Sequence, residues 1–305
     1  MTMPDSVVVT VPGTTSNVGP GFDCLGAALT LYNRFQFTRA ESGLQIDVTG
    51  AEADRVVRDE SNLAYKSFLK FFDHIGQPAP GLHLSIDLQV PLSRGLGSSA
   101  TAIVGGLVGA NALAGSPLSQ EQVMEMAIAI EGHPDNIVPA LLGGCRLAAE
   151  SEGEWTICEL PCHPDIAFVL GVPDFEVSTA EARRVLPQEY SRADAIFNMA
   201  HLGLLVRALE TGNPDWLRSA LKDRIHQPYR KSLMHGFDAV REGAIAAGAY
   251  ELVISGAGPT LLAIAHPSHG EKIAQAMQAA WTSQSIQSEV KVLKIDPTGT
   301  RIETP

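Results

Sequence analysis

The chain lacks the features of a nucleic-acid-binding, membrane or secreted protein. Basic residues are scarce: 22 lysines and arginines stand against 34 aspartates and glutamates in 305 residues, giving a formal charge of -12 and a pI near 5.2. Broad contact with nucleic acid or an anionic membrane needs a basic surface, so neither is expected as a partner. The stretch Met1 to Val11 is a short β-like segment without a basic n-region, which argues against a signal peptide. The best membrane candidate, Ala100 to Gly115, is dominated by Gly and Ala and holds Thr101 and Asn111, a composition that fits a packed internal helix. Of the four cysteines, Cys24, Cys145, Cys158 and Cys162, no two form a Cys-x-x-Cys pair. Reduced thiols in a cytoplasmic protein account for them. Internal repeats and low-complexity tracts are missing too.

What is present is enough apolar material, 45% of residues, for one large core or two moderate ones. The order of elements changes near residue 160, which divides the chain into 1–160 and 161–305. Before the change lie β-rich segments at Val7 to Val11, Tyr32 to Thr38, Leu44 to Val48 and Leu82 to Gln89, followed by two helices. After it, a strand at Ile166 to Val172 leads to helices at Asp194 to Thr211, Pro214 to Lys222 and Lys231 to Ala247. Strands at Glu251 to Ser255 and Leu261 to Ala265, a helix at Gly270 to Thr282 and a strand at Glu289 to Ile295 complete the chain. This second order fits a split βαβ, ferredoxin-like domain with extra helices in its first crossover.

The run Pro91-Leu92-Ser93-Arg94-Gly95-Leu96-Gly97-Ser98-Ser99-Ala100-Thr101 joins the fourth of those strands to a buried helix. Gly95 and Gly97 permit positive φ and close approach of the backbone to a ligand. The helix that follows directs unpaired N–H groups and a partial positive charge into the loop. Ser98 and Ser99 add hydroxyls that can donate to phosphate oxygens or ligate Mg²⁺. Phosphate binding is one reading; a tight turn without a ligand is the other. A P-loop is excluded, because no Gly-Lys pair occurs in the chain. Gly95-x-Gly97-x-x-Ala100 matches the dinucleotide-binding spacing, but a strand ending in an acidic residue should follow. Instead Pro117-Leu118-Ser119 breaks the first helix, and Ser119 with Gln122 forms a capping box that starts a second, running to about Glu131.

Met124, Ile128 and Glu131 fall at spacings of four and three, so Glu131 shares a face with apolar side chains. An inward carboxylate needs a partner, and Mg²⁺ on nucleotide phosphates is one candidate, with Ser98 or Ser99 as a second oxygen ligand. A frayed, solvated helix end is the alternative. Immediately beyond, Glu131-Gly132-His133-Pro134-Asp135-Asn136 packs two carboxylates, an imidazole and an amide into six residues. The cluster fits a loop positioning a hydroxyl nucleophile, with Asp135 as general base and Asn136 as orienter, and equally an Asx turn at Pro-Asp-Asn.

Pro91 to Thr101 resembles the phosphate loop Pro-x-x-x-Gly-Leu-Gly-Ser-Ser-Ala of the GHMP kinases. Pro12-Gly13-Thr14-Thr15-Ser16-Asn17-Val18-Gly19-Pro20-Gly21-Phe22-Asp23-Cys24-Leu25-Gly26 is similar to the family's first motif in its homoserine kinase form, and Ser255-Gly256-Ala257-Gly258-Pro259-Thr260 to its third. All three stand in the family's order, and the likeness spans nearly the whole chain. It implies a two-domain α+β fold, with an N-terminal domain like the second domain of ribosomal protein S5 and a ferredoxin-like C-terminal domain. It also implies that ATP and Mg²⁺ are used, that the chain pairs as a homodimer, and that residues 91–101 hold the nucleotide together with Asn62. On the same resemblance, Asn17 and Asp23 bind a substrate amino group, Arg183 and Arg230 clamp its carboxylate, His133 lies near the substrate, and Glu131 with Ser98 holds the metal. The spacing between Glu131 and His133 varies among homoserine kinases, and this chain has the short form.

The activity so implied is transfer of the ATP γ-phosphate to the hydroxyl of L-homoserine, in threonine biosynthesis. Catalysis would rest on positioning and charge neutralisation, with Arg183 and Asn136 near the reacting groups. Homoserine kinases are thought to manage without a base, so Asp135 stands as a candidate. Three alternatives compete. A mevalonate or sugar kinase of the same family has no use for an ammonium-and-carboxylate clamp. Against a nucleotide sensor without activity stand the intact Ser98, Ser99 and Glu131, and a dehydrogenase would require NAD binding.

Overall fold

The computed structural model describes residues 4–303, which form two lobes. The first is built on a long hairpin, β1 (Ser6–Asn17) and β2 (Gly21–Ala40), whose register shifts after Pro12 and after Ser16. Val7, Val9 and Val11 alternate into the core against Phe35 and Phe37. Next come β3 (Leu44–Gly50), helix α1 (Leu63–His74) and β4 (Gly81–Leu88), a crossover that sets β4 parallel to β3 and antiparallel to β2.

Three helices then cover the sheet: α2 (Ser98–Leu113), α3 (Gln120–Glu131) and α4 (Pro134–Leu142). The hairpin β5 (Cys145–Ser151) and β6 (Glu154–Leu160) adds to the near half of β2. Helix α2 is buried along most of its length. A Cβ at Gly105 would lie 2.6 Å from the Phe35 ring, one at Gly109 2.3 Å from the Phe37 ring, and one at Gly106 2.2 Å from Ala64 O. These glycines let α2 press against the sheet on one side and α1 on the other, and so fix the start of α2, where the phosphate loop ends.

The second lobe carries β7 (Ala167–Pro173), α5 (Thr179–Arg184), α6 (Arg192–Thr211), α7 (Pro214–Ala220), α8 (Gln227–Arg230), α9 (Phe237–Ala247), β8 (Glu251–Ile254), β9 (Leu261–Ala265), α10 (Gly270–Thr282) and β10 (Ser288–Leu293). Its sheet order, β10-β7-β9-β8, is antiparallel throughout and has the expected ferredoxin-like topology. One face packs on α9 and α10 around the buried Trp281. The other joins the first lobe through Leu205, Leu209, Leu217 and Leu221, which share a core with Leu25, Leu29, Phe168 and Leu170. Among the described residues no helix is long and apolar enough to cross a membrane.

Three expectations change. The polar run after Glu131 is no loop: Pro134 takes the first helical position of α4, where its missing N–H costs nothing, and Asp135 and Asn136 sit in the first turn. The helix expected over Lys231 to Ala247 begins only at Phe237, after Gly236 at φ 79° and a short 3₁₀ turn. Finally, the chain after β10 leaves the second lobe. Strand β11 (Arg301–Glu303) pairs antiparallel with β1, so the tail of 161–305 belongs to the first sheet. A three-residue strand carries too little periodicity to be read from sequence.

Asp296 anchors that tail. It is 1% exposed, accepts the Tyr32 hydroxyl at 2.6 Å and the N–H groups of Thr298 and Gly299 at 2.8 Å each, and pairs with Arg301. Burial alone would raise its pKa, but the Tyr32 hydroxyl, the two amides and Arg301 outweigh it and hold the carboxyl below its ordinary range. A carboxyl lowered in this way contributes stability that is complete above its unfolded value, about 3.9, and is lost as pH falls through the folded one. Asp296→Asn is therefore expected to cost on the order of 2 kcal/mol at neutral pH and to flatten the acid limb of the stability curve, measured by denaturant melts between pH 3 and 7. Melts that match the parent at both ends would refute the anchor.

Candidate active site

The three glycine-bearing segments singled out in the sequence meet at one point. Thr14 N–H donates to Leu96 O at 3.0 Å, Ser255 Oγ donates to Gly95 O at 2.7 Å, and Gly256 N–H donates to Ser16 O at 3.1 Å. Thr15 and Ser255 share a hydroxyl hydrogen bond of 2.8 Å. Gly95 and Gly97 both have positive φ, 69° and 67°, and neither has room for a side chain. A Cβ on Gly95 would lie 2.3 Å from Ser255 O, and one on Gly97 2.0 Å from Thr14 Oγ1. The first helical bond of α2 runs from Thr101 N–H to Gly97 O, so the N–H groups of Ser98, Ser99 and Ala100 have no intrahelical acceptor.

A cleft of about 500 Å³ opens over this helix end, between the lobes. Ser93, Gly95, Gly97, Ser98 and Ser99 line it, as does Leu92, whose N–H is held by Glu52. Arg94 aside, the other side chains of the expected phosphate-binding run point away from it. Leu96, Ala100 and Thr101 are buried in the lobe, and Thr101 uses its hydroxyl on Ser98 O and Asn33. Pro91, without an N–H, borders a different hollow.

Arg94 reaches the cleft wall, but its guanidinium is committed to protein. It donates to the carbonyls of Leu92, Pro173 and Asp174 at 3.0 Å each and pairs with Glu176 at 2.8 Å. Arg55 shares Glu176 and also binds Glu52. Arg94 is thus a strut between the phosphate loop and the segment leading to α5. Asn62 likewise uses its amide to cap α1, accepting from Ala64 and Tyr65 and donating to Val57 O, though it too borders the cleft.

The residues expected to clamp an amino acid do converge. Asp23, at φ 57°, and Arg183 form a two-pronged pair, both contacts 3.0 Å. Arg230 is buried, donating Nε–H to Ala182 O at 3.1 Å and Nη1–H to Gly256 O at 3.0 Å. Phe22 lies beneath both cations, 5.8 Å from the Arg183 carbon and 5.0 Å from that of Arg230. Asn17 braces the group, with Nδ2 donating to Gly256 O and Oδ1 accepting from Asp23 N–H, so its amide is already engaged.

At the start of α2, Ser99 Oγ donates to Glu131 Oε1 at 2.7 Å; of the two serines expected near Glu131, Ser98 and Ser99, it is Ser99 that touches it. His133 Nδ1 lies 2.6 Å from Asp135 Oδ1, and its Nε2 4.0 Å from Glu131. Burial works against the imidazolium, yet the hydrogen bond and charge of Asp135, helped by Glu131 and Asp23, raise the His133 pKa above its ordinary value. Asn136 orients Asp135: it donates to Asp135 Oδ1 at 3.2 Å and Ser16 Oγ at 3.0 Å and accepts from Thr14 at 2.7 Å.

The family profile described as "GHMP kinases N terminal domain" matches residues 62–144, and "GHMP kinases C terminal" matches 205–283. The homoserine kinase of Trichormus variabilis is 64% identical over 98% of this chain and 99% of its own. The chain belongs to the GHMP kinase family. Within that family it groups with homoserine kinases: the crystal structure of the Cytophaga hutchinsonii homoserine kinase superposes with a TM-score of 0.90 at 29% identity, covering 99% of both chains. Mevalonate kinase from L. major, at 17% identity and a TM-score of 0.69 over 92% of this chain and 94% of its own, shares the fold. This GHMP kinase is a small-molecule kinase, and the family implies ATP as its co-substrate.

Several cleft residues escaped the sequence reading. Val57 and Leu63 are 49% and 37% exposed and, with Val56, give the cleft an apolar end beside α1. Ser16 on the cleft wall and Phe22 beneath the two arginines are likewise unmarked in sequence, since an aromatic or a serine in a loop carries no signal by itself. Because Arg94 links the phosphate loop to the α5 segment that carries Arg183, Arg94→Lys should raise the KM for the phosphoryl acceptor several-fold and leave the KM for ATP within about twofold. Steady-state kinetics check this, and a rise confined to ATP would make Arg94 a phosphate ligand.

Proposed function

We propose that this kinase transfers the γ-phosphate of ATP to the side-chain hydroxyl of L-homoserine, giving O-phospho-L-homoserine for threonine biosynthesis. The observation that carries the reading is the clamp: one carboxylate, Asp23, and two guanidiniums, Arg183 and Arg230, stand over Phe22 in the same cleft as the free amides of α2. A zwitterion supplies both missing charges. Its ammonium suits Asp23, its carboxylate suits the arginines, and exchange of the Asp23–Arg183 pair for these contacts leaves no charge unpartnered. Mevalonate or a sugar would satisfy only part of the set.

The amides of Ser98, Ser99 and Ala100 and the hydroxyls of Ser98 and Ser99 suit the triphosphate, and the apolar wall of Val56, Val57 and Leu63 suits a base. Mg²⁺ fits the donor set: Glu131 is a mostly buried carboxylate with a serine hydroxyl on one oxygen, at the positive end of a helix. Few protein ligands are what Mg²⁺ on phosphates requires. Glu131, with Ser98 or Ser99, would hold it, and it would supply neutralisation of phosphate charge. Asp135 takes the hydroxyl proton in this reading. Its Oδ1 is held by His133 and Asn136, which leaves Oδ2 for the substrate. We place the enzyme in the cytoplasm, in keeping with four free cysteines, and pair it as a homodimer, which the large exposed side chains Ile196 and Met199 on α6 favour.

A coupled ADP-release assay should give turnover with homoserine and none above background with mevalonate or galactose; the reverse would overturn the assignment. For Asp135→Ala we expect kcat to fall on the order of 10²-fold or more, as loss of a general base does, and a milder loss would remove that role.

A further inference from the structure

His226 takes no part in the chemistry above, yet the cationic end of the cleft is assembled around it. It is fully buried and touches three parts of the clamp. Nε2 lies 2.8 Å from Gly19 O, in the turn between β1 and β2 that leads to Asp23. Nδ1 lies 3.5 Å from Arg230 Nη1, and the ring stacks on Phe22 with centroids 5.2 Å apart and planes at 23°. A carbonyl only accepts, so Nε2 carries the proton, and Nδ1 of the neutral ring presents its lone pair to the guanidinium. Burial lowers the imidazole pKa; Asp223 opposes it, Arg230 reinforces it, and Gly19 O and Asp23 oppose it, the net direction being down, toward the neutral ring. The backbone is pinned as well: Asp223 Oδ2 accepts the N–H groups of His226 and Gln227 at 2.9 and 2.7 Å.

Arg230 is consequently held by three acceptors, Ala182 O, Gly256 O and His226 Nδ1, and among the described residues its Nη2 has no hydrogen-bond acceptor. Fixing three N–H groups aims the remaining edge without loss of side-chain freedom on binding. We propose that His226 is a positioning residue for the amino-acid substrate: as an Nε2–H imidazole it ties the Gly19–Asp23 turn to Arg230 and sets the separation of carboxylate and guanidinium that one small zwitterion must bridge. The inference rests on the amino-acid reading of the cleft.

Three variants and one spectrum test it. His226→Phe keeps a ring against Phe22 but loses both polar contacts, and should raise the KM for homoserine on the order of tenfold while the KM for ATP stays within about twofold. His226→Asn keeps an acceptor for Arg230 and His226→Gln a donor for Gly19, so each should recover part of that loss. If the phenylalanine variant shows no cooperative melt, the Asn and Gln variants decide, both being expected above the parent KM for homoserine. An unchanged KM for homoserine, or an equal rise for ATP, overturns the proposal. Nitrogen-15 spectra of the ligand-free protein at neutral pH should show the His226 ring protonated at Nε2 and bare at Nδ1. An imidazolium or the opposite tautomer refutes the proposal whatever the substrate proves to be, whereas failure of the parent enzyme to use homoserine refutes the assigned reaction.

Discussion

The site depends on backbone contact between Gly95 and the turn at Ser255 and Gly256. The Ser255 hydroxyl bonds Gly95 O, and no Cβ could be accommodated at Gly95. This contact brings a loop of the first lobe and a loop of the second within hydrogen-bonding range, and Thr14, Thr15 and Ser16 of β1 seal the junction. Everything else is hung from it. The free amides at the cleft belong to the helix that Gly97 starts, and Arg230 takes part of its orientation from Gly256 O, one residue beyond Ser255.

Charge is handled locally, as it must be in a chain of net charge -12. The arginines of the cleft fall into two sets with different tasks. Arg55 and Arg94 neutralise Glu52 and Glu176 and fasten the phosphate loop to the second lobe. Arg183 and Arg230 lie over Phe22 and face Asp23. The proposed phosphate site is made of amides and hydroxyls, whose partial charges need no counterion.

The parts legible in the sequence were those written in glycine and capping residues. Gly95 and Gly97 are required by φ and by close approach, and Ser119 with Gln122 forms the capping box its spacing announced. Long periodic elements such as α6 and α10 could be located as well. Other parts depended on tertiary context that no local pattern records. That Asn62 caps α1 and that Arg94 bonds three carbonyls follow from neighbours the sequence does not place together, and Pro134 to Asn136 reads as a turn until the rest of α4 packs beneath it. The choice of Ser99 over Ser98 on Glu131 is a matter of helix phase between two packed helices, which spacing alone does not fix.

The return of β11 to the first sheet has a mechanical consequence. The polypeptide crosses between the lobes twice, once after β6 and again after β10, and Leu205, Leu209, Leu217 and Leu221 are wedged between the sheets. Two tethers and a shared leucine core tie the lobes together, so any swing of one lobe against the other would have to open the burial of Leu205, Leu209, Leu217 and Leu221.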